Sequence, residues 1–203
     1  MKKSLLVLII LVPTSITVGQ QFEYGLKGGL NISTLKNESS DFDIYSAKAG
    51  YHVGLYSSFF FSEHLGLRTE LVYSLEGANF ENSDEFVRIN RISVPLLFNY
   101  RFLEKVGVEV GPEFKLQTGF DSNVPASRGN VESLYEKLDY GISLGVEFLP
   151  FEKIGIIVRN YFGLKYHSET FISEEIEGQF MSLASMKSDR TNVFQLAIQY
   201  QLN

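Results

Sequence analysis

The segment LDYGISLGVEF at positions 138–148 decides the fold. Its even positions hold Leu138, Tyr140, Ile142, Leu144, Val146 and Phe148, and its odd positions hold Asp139, Gly141, Ser143, Gly145 and Glu147. Unbroken alternation puts every large apolar side chain on one face of an extended strand and every polar or missing one on the other. A helix would show a period near 3.6, which this stretch contradicts.

The same period recurs at 22–32, 51–61, 65–76, 91–102, 106–120, 154–166 and 194–202, so the chain reads as eight strands. A few residues break the rule: Asn160 falls on the apolar face, and Leu97 and Ile157 fall on the polar one. In the 106–120 run the apolar face is read as Val106, Val108, Val110, Phe114, Leu116 and Phe120. Connections alternate in length. Those at 62–64, 103–105 and 149–153 are of hairpin size, whereas 33–48, 79–90, 121–137 and 167–190 are long. Short turns at one rim and long loops at the other define an all-β, eight-stranded antiparallel up-and-down transmembrane barrel. The short turns and both termini are expected in the periplasm and the long loops outside the cell.

Composition agrees. Aromatics make up 14% of the chain without one Trp, glycines number 17, and only 21% of residues are charged. The absence of Cys excludes disulfides, thiolate metal sites and a Cys nucleophile, and a net charge of −6 argues against nucleic acid as a partner. Lys2 and Lys3 ahead of the apolar run Leu5–Val12, with Thr17 and Gly19 before Gln20, read as a cleaved signal peptide over 1–19. The barrel domain is then 20–203, with 16 basic against 24 acidic residues.

Alternation alone does not say which face is outside, because a soluble lipocalin-like barrel alternates too. Three features place the apolar face outward. No strand carries a charge on it. Eleven of the 17 glycines, from Gly25 and Gly29 to Gly155 and Gly163, lie on the polar face, as the crowded interior of a narrow barrel requires. Aromatics of the apolar face gather at strand ends, with Tyr24, Phe59, Tyr100 and Phe148 at the short-turn rim and Tyr51, Tyr73, Tyr140 and Phe194 at the other. Two such girdles bracket a band that ten tilted residues span in roughly 25 Å.

The runs YGLKGGLNISTL (24–35), LGLRTELVYSLEGANF (65–80), ISVPLLFNYRF (92–102), VGVEVGPEF (106–114), LDYGISLGVEF (138–148) and VFQLAIQY (193–200) resemble the Bacteroidota outer-membrane β-barrel family, the PorT-like or "porin family" proteins. The resemblance implies an outer-membrane location and insertion by the barrel-assembly machinery. The usual aromatic end of the assembly signal is replaced here by Tyr200-Gln201-Leu202-Asn203.

The polar face supplies the candidate site. Its cations are Lys27, Arg68, Arg91, Arg101, Lys115, Arg159 and Lys165, and its anions are Glu23, Glu70, Glu76, Glu109, Glu113, Asp139 and Glu147. Balanced signs suit a paired structural network more than a charge-selective pore. Lys27, Arg68, Glu70, Arg101, Glu109, Glu113, Lys115, Asp139, Glu147 and Arg159 form its expected core. Hairpin pairing is expected to set Tyr56 beside Glu70, Ser58 beside Arg68 and Ser143 beside Arg159. Catalysis has little to stand on: His167-Ser168-Glu169 offers the residue types of a triad without the geometry, and His52, His64 and His167 are scattered. No cofactor is expected. The reading is a non-catalytic outer-membrane protein with a plugged lumen and a structural or loop-mediated binding role. Its expected partners are outer-membrane lipid and lipopolysaccharide, and an envelope protein met through the loops. The alternatives are a narrow pore and an accessory part of a secretion system.

Overall fold

A computed structural model describes residues 21–37, 45–80, 84–123, 137–165, 169–176, 179–187 and 189–203. The strands among them are β1 (Gln21–Asn37), β2 (Tyr45–Phe60), β3 (Leu65–Phe80), β4 (Phe86–Leu103), β5 (Val106–Ser122), β6 (Leu138–Phe151), β7 (Ile154–Gly163), β8 (Glu169–Ile176), β9 (Gln179–Lys187) and β10 (Asp189–Gln201). Eight of them close into one barrel in the order β1-β10-β7-β6-β5-β4-β3-β2, each pair antiparallel. The remaining two, β8 and β9, pair only with each other, as a hairpin within the last long connection. The expected signal peptide and the His167-Ser168 pair lie outside the described residues.

Strands outrun the alternating segments on the long-loop side. β1 continues to Asn37, β3 to Phe80, and β4 begins at Phe86, so part of each expected loop is strand. At the opposite rim the turns are tight. Leu65 N donates to Ser62 Oγ at 3.0 Å and Phe61 N to Leu65 O at 3.0 Å, closing the β2–β3 turn. The β1–β10 seam runs from Gly25↔Gln201 to Asn37↔Asp189 and is prolonged by Leu202 N donating to Tyr24 O at 2.9 Å. The Asn203 side chain adds hydrogen bonds to the Tyr24 N and the Phe22 O.

Burial is inverted relative to a soluble protein. Leu30 is 67% exposed and Phe98 59%, while Arg68 is 1% exposed and Glu109 is fully buried. A band of exposed Leu, Ile, Val and Phe encircles the barrel, a surface stable only against lipid. The expected exceptions Leu97 and Ile157 are indeed inward, each 1% exposed, and with buried Tyr56, Val72 and Tyr161 they belong to the apolar part of the lumen.

Two local expectations fail, both at bulges. Ser143 pairs with Tyr161, and Arg159 pairs with Gly145, so Ser143 and Arg159 are not cross-strand neighbours. The register shifts between Phe148 and Phe151 because β6 runs on to Phe151 and leaves Glu152-Lys153 as the turn. On β5 the pairing passes from Arg91↔Gln117 to Asn90↔Gly119, so Thr118 is an extra residue. One extra residue reverses every side chain beyond it. Phe120 therefore pairs with inward, buried Ile89 and does not belong to the outer aromatic girdle.

Candidate functional site

Alternation on eight strands turns a column of polar side chains from each into one narrow bore, where a charge persists only if it is paired. Nearer the short-turn rim the pairs link into a chain of alternating sign. Lys27 Nζ lies 2.8 Å from Glu70 Oε2. The Arg159 fork grips both Glu70 oxygens at 2.8 Å, and its Nε donates to Glu109 Oε1 at 2.7 Å. Glu109 Oε2 accepts from Arg68 Nη1 at 3.2 Å, and the same nitrogen lies 3.0 Å from Glu147 Oε1. Arg101 stands 3.5 Å from Glu147 and holds Glu23 through two hydrogen bonds of 2.8 and 2.7 Å. Strands far apart in the barrel order thus meet: Arg159 belongs to β7 and Glu70 to β3.

A second group lies toward the long-loop rim. Lys115 Nζ is 2.7 Å from Glu76 Oε1 and 3.7 Å from Glu113 Oε1. Arg91 binds Asp139 Oδ2 at 2.7 Å and reaches Glu76 Oε2 at 3.6 Å. Ser74 donates to Glu76 at 2.8 Å and Ser143 donates to Glu113 at 2.5 Å. Aromatic rings line the cations: Lys115 sits 3.8 Å from the Tyr161 ring centroid, Arg68 4.5 Å from Tyr56 and Arg101 4.0 Å from Phe60. Glycines make room where side chains converge. A Cβ on Gly145 would stand 2.7 Å from Glu109 Oε1, on the carboxylate that holds two guanidinium groups.

All ten core residues expected from the sequence face inward, distributed over two groups. Lys27, Arg68, Glu70, Arg101, Glu109, Glu147 and Arg159 belong to the first, and Glu113, Lys115 and Asp139 to the second. Glu23, Glu76 and Arg91, also read as inward, complete the pairs. Lys165 lies past the end of β7 and is half-buried. Sequence reasoning missed Gln199, which accepts from Arg68 and donates to Glu147 at 2.7 Å. Its inward position on β10 was visible, but its role as a bridge between charges was not. His52 is inward and 2% exposed, with neither ring nitrogen hydrogen-bonded within the protein. His64 lies in the β2–β3 turn, edge-on to Tyr100 at 6.4 Å. Among the described residues no cluster of three His, Asp or Glu has metal-binding geometry. At the short-turn rim a cavity of about 860 Å³ opens below the network, with Glu23 and Arg101 among its lining residues and Lys105, Glu152 and Lys153 from the turns.

A closed antiparallel barrel of eight strands, apolar outside and ion-filled inside, is an integral outer-membrane barrel. The chain belongs to the outer membrane protein beta-barrel domain family, whose model matches residues 18–166. Solved structures of similar fold include Neisserial surface protein A, 9% identical over 91% of this chain and 99% of that one at a TM-score of 0.52. The attachment invasion locus protein Ail of Yersinia pestis is 12% identical over 90% and 99% of the two chains at 0.48. OprG of Pseudomonas aeruginosa is 11% identical over 91% and 98% at 0.48. At such identities the likeness concerns the fold alone. No curated protein matches the chain.

Proposed function

We propose that the protein is a non-catalytic component of the outer membrane whose barrel is a self-filled anchor and whose long loops bind an envelope partner. The observation that carries this reading is the unbroken ion chain from Lys27 through Glu70, Arg159, Glu109, Arg68, Glu147 and Arg101 to Glu23. It fills the bore with groups of opposite charge paired with one another and leaves no bias of sign to select an ion. Binding is then left to the segments beyond the membrane, including the β8–β9 hairpin. The six runs quoted above support a PorT-like barrel of the Bacteroidota, exported by the 1–19 signal peptide and inserted by the assembly machinery.

The test is photo-crosslinking in native membranes from positions in the β5–β6 and β7–β10 connections. Recovery of one discrete envelope protein, lost when the β8–β9 hairpin is replaced by a short Gly-Ser turn, supports the reading. Secretion components among the products would favour the PorT-like form. No crosslink from any loop position, with the barrel correctly inserted, would contradict a loop-mediated role.

A further inference from the structure

Above the apolar band, the outward surface of β2, β3 and β4 carries charges that the lumen network does not use. Arg88 lies on the same face of β4 as Ile92 and Val94, four residues beyond the last exposed apolar position. That places it about 10 Å above the hydrocarbon edge on a tilted strand, at the level of lipid headgroups. Lys48 reaches the same surface. Its Nζ is 3.0 Å from Asn79 Oδ1 and 4.2 Å from the centroid of the Phe86 ring, over which Arg88 also stands at 5.2 Å. Between the two cations runs Gly77, paired with Arg88 at a positive φ, where a Cβ would collide with Val87 O.

Two bulges build this arrangement. Counting back in twos from inward His52, Lys48 would point into the lumen. Lys48 still pairs with inward Ser33 on β1, but between Ala47↔Ala78 and His52↔Ser74 β2 has one residue more than β3, and in this irregular stretch the ammonium reaches Asn79 and Phe86. The extra Thr118 on β5 likewise turns Asp121 outward opposite Arg88, at 3.4 Å. Arg88 and Asp121 remain 43% and 59% exposed. Partial burial first, and then the like charge of Arg88, push the Lys48 ammonium below the usual lysine range, offset in part by Asp121. Two cations thus share one aromatic ring at the end of β4, with Asp121 paired to Arg88. Like charges held together over one ring, facing the headgroup layer, are satisfied by an anion with several acceptor oxygens.

We propose that Lys48 and Arg88, side by side above Gly77 on the outer wall, bind a phosphate group of an outer-leaflet glycolipid. The proposal rests on the reading that the apolar face meets lipid, and is independent of the loop-binding role. The site takes the headgroup from the membrane side, so the glycolipid's acyl chains lie along the apolar band below Arg88.

The experiment folds the protein into phosphatidylcholine nanodiscs containing a small fraction of lipid A and measures retained lipid A by native mass spectrometry. Arms use bisphosphorylated lipid A, enzymatically dephosphorylated lipid A, and lipid-A-free discs with inorganic phosphate. Wild type is expected to retain the phosphorylated lipid over the dephosphorylated one. Lys48→Gln and Arg88→Gln should each weaken retention about fivefold, Lys48→Arg and Arg88→Lys should keep most of it, and Lys105→Gln at the opposite rim should change nothing. Equal retention of both lipids, or equal retention by wild type and the Gln variants, would overturn the proposal. Inorganic phosphate binding as tightly as lipid A would overturn the lipid as its source. Failure of the wild type to insert into any disc would strike at the membrane reading itself.

Discussion

Glu109 shows how much one carboxylate holds in this lumen. It is fully buried and accepts from Arg159 Nε and Arg68 Nη1. Truncating it leaves two guanidinium groups short of a counter-charge where water has little room, a cost of about 3–5 kcal/mol. Glu113 has a hydroxyl and a more distant ammonium, 3.7 Å away, as its partners. Urea unfolding in lipid vesicles should therefore find Glu109→Ala clearly more destabilising than Glu113→Ala. The inward set of charges was legible from period two, since each strand states its own polar face. Who pairs with whom was not. Lys27 on β1 reaches Glu70 on β3, and Arg159 on β7 reaches the same carboxylate across the bore. Such partners follow from strand stagger around the closed barrel, which no single strand records. Gln199 escaped notice for the same reason: an inward amide becomes a bridge only once Arg68 and Glu147 are beside it.

At the scale of the element, the strands were legible and their bulges were not. Tyr56↔Glu70 and Ser58↔Arg68 pair as the tight β2–β3 turn dictates, because the alternation of the two strands and a short hairpin leave one register. The Ser143–Arg159 neighbourhood failed where β6 runs on past Phe148. Likewise Phe120 follows the apolar period in sequence but lies beyond Thr118, which flips it to the lumen side. The absence of any Trp makes the flip measurable. Leu116→Trp, at an exposed outward position, should be quenched by brominated lipid, whereas Phe120→Trp should be shielded. Equal quenching would remove the bulge. Sidedness is tested on the same elements. Leu144 is 52% exposed on the outer wall of β6, so Leu144→Arg should impair insertion into vesicles by about 2–4 kcal/mol near the midplane. Normal folding yields for that variant would mean that the apolar face does not meet lipid.

For the whole molecule, inverted burial and closure are two sides of one solution. A sheet that spans lipid needs every backbone group paired, and the β1–β10 seam supplies the last pairing. Once closed, eight strands enclose a bore that side chains fill, and many of the side chains that fill it here are charged and paired with one another. The long-loop side is where the sequence said least, because loop residues carry no period to read. The β8–β9 hairpin emerged there from a stretch read only as a long connection. Ion pairs that close the lumen leave no path for ions, a property that planar-bilayer recording of the purified wild-type protein reads. The filled lumen is expected to give a baseline without steady ion current across the voltages that the bilayer tolerates. Sustained, large unitary conductance from the correctly folded barrel would contradict it.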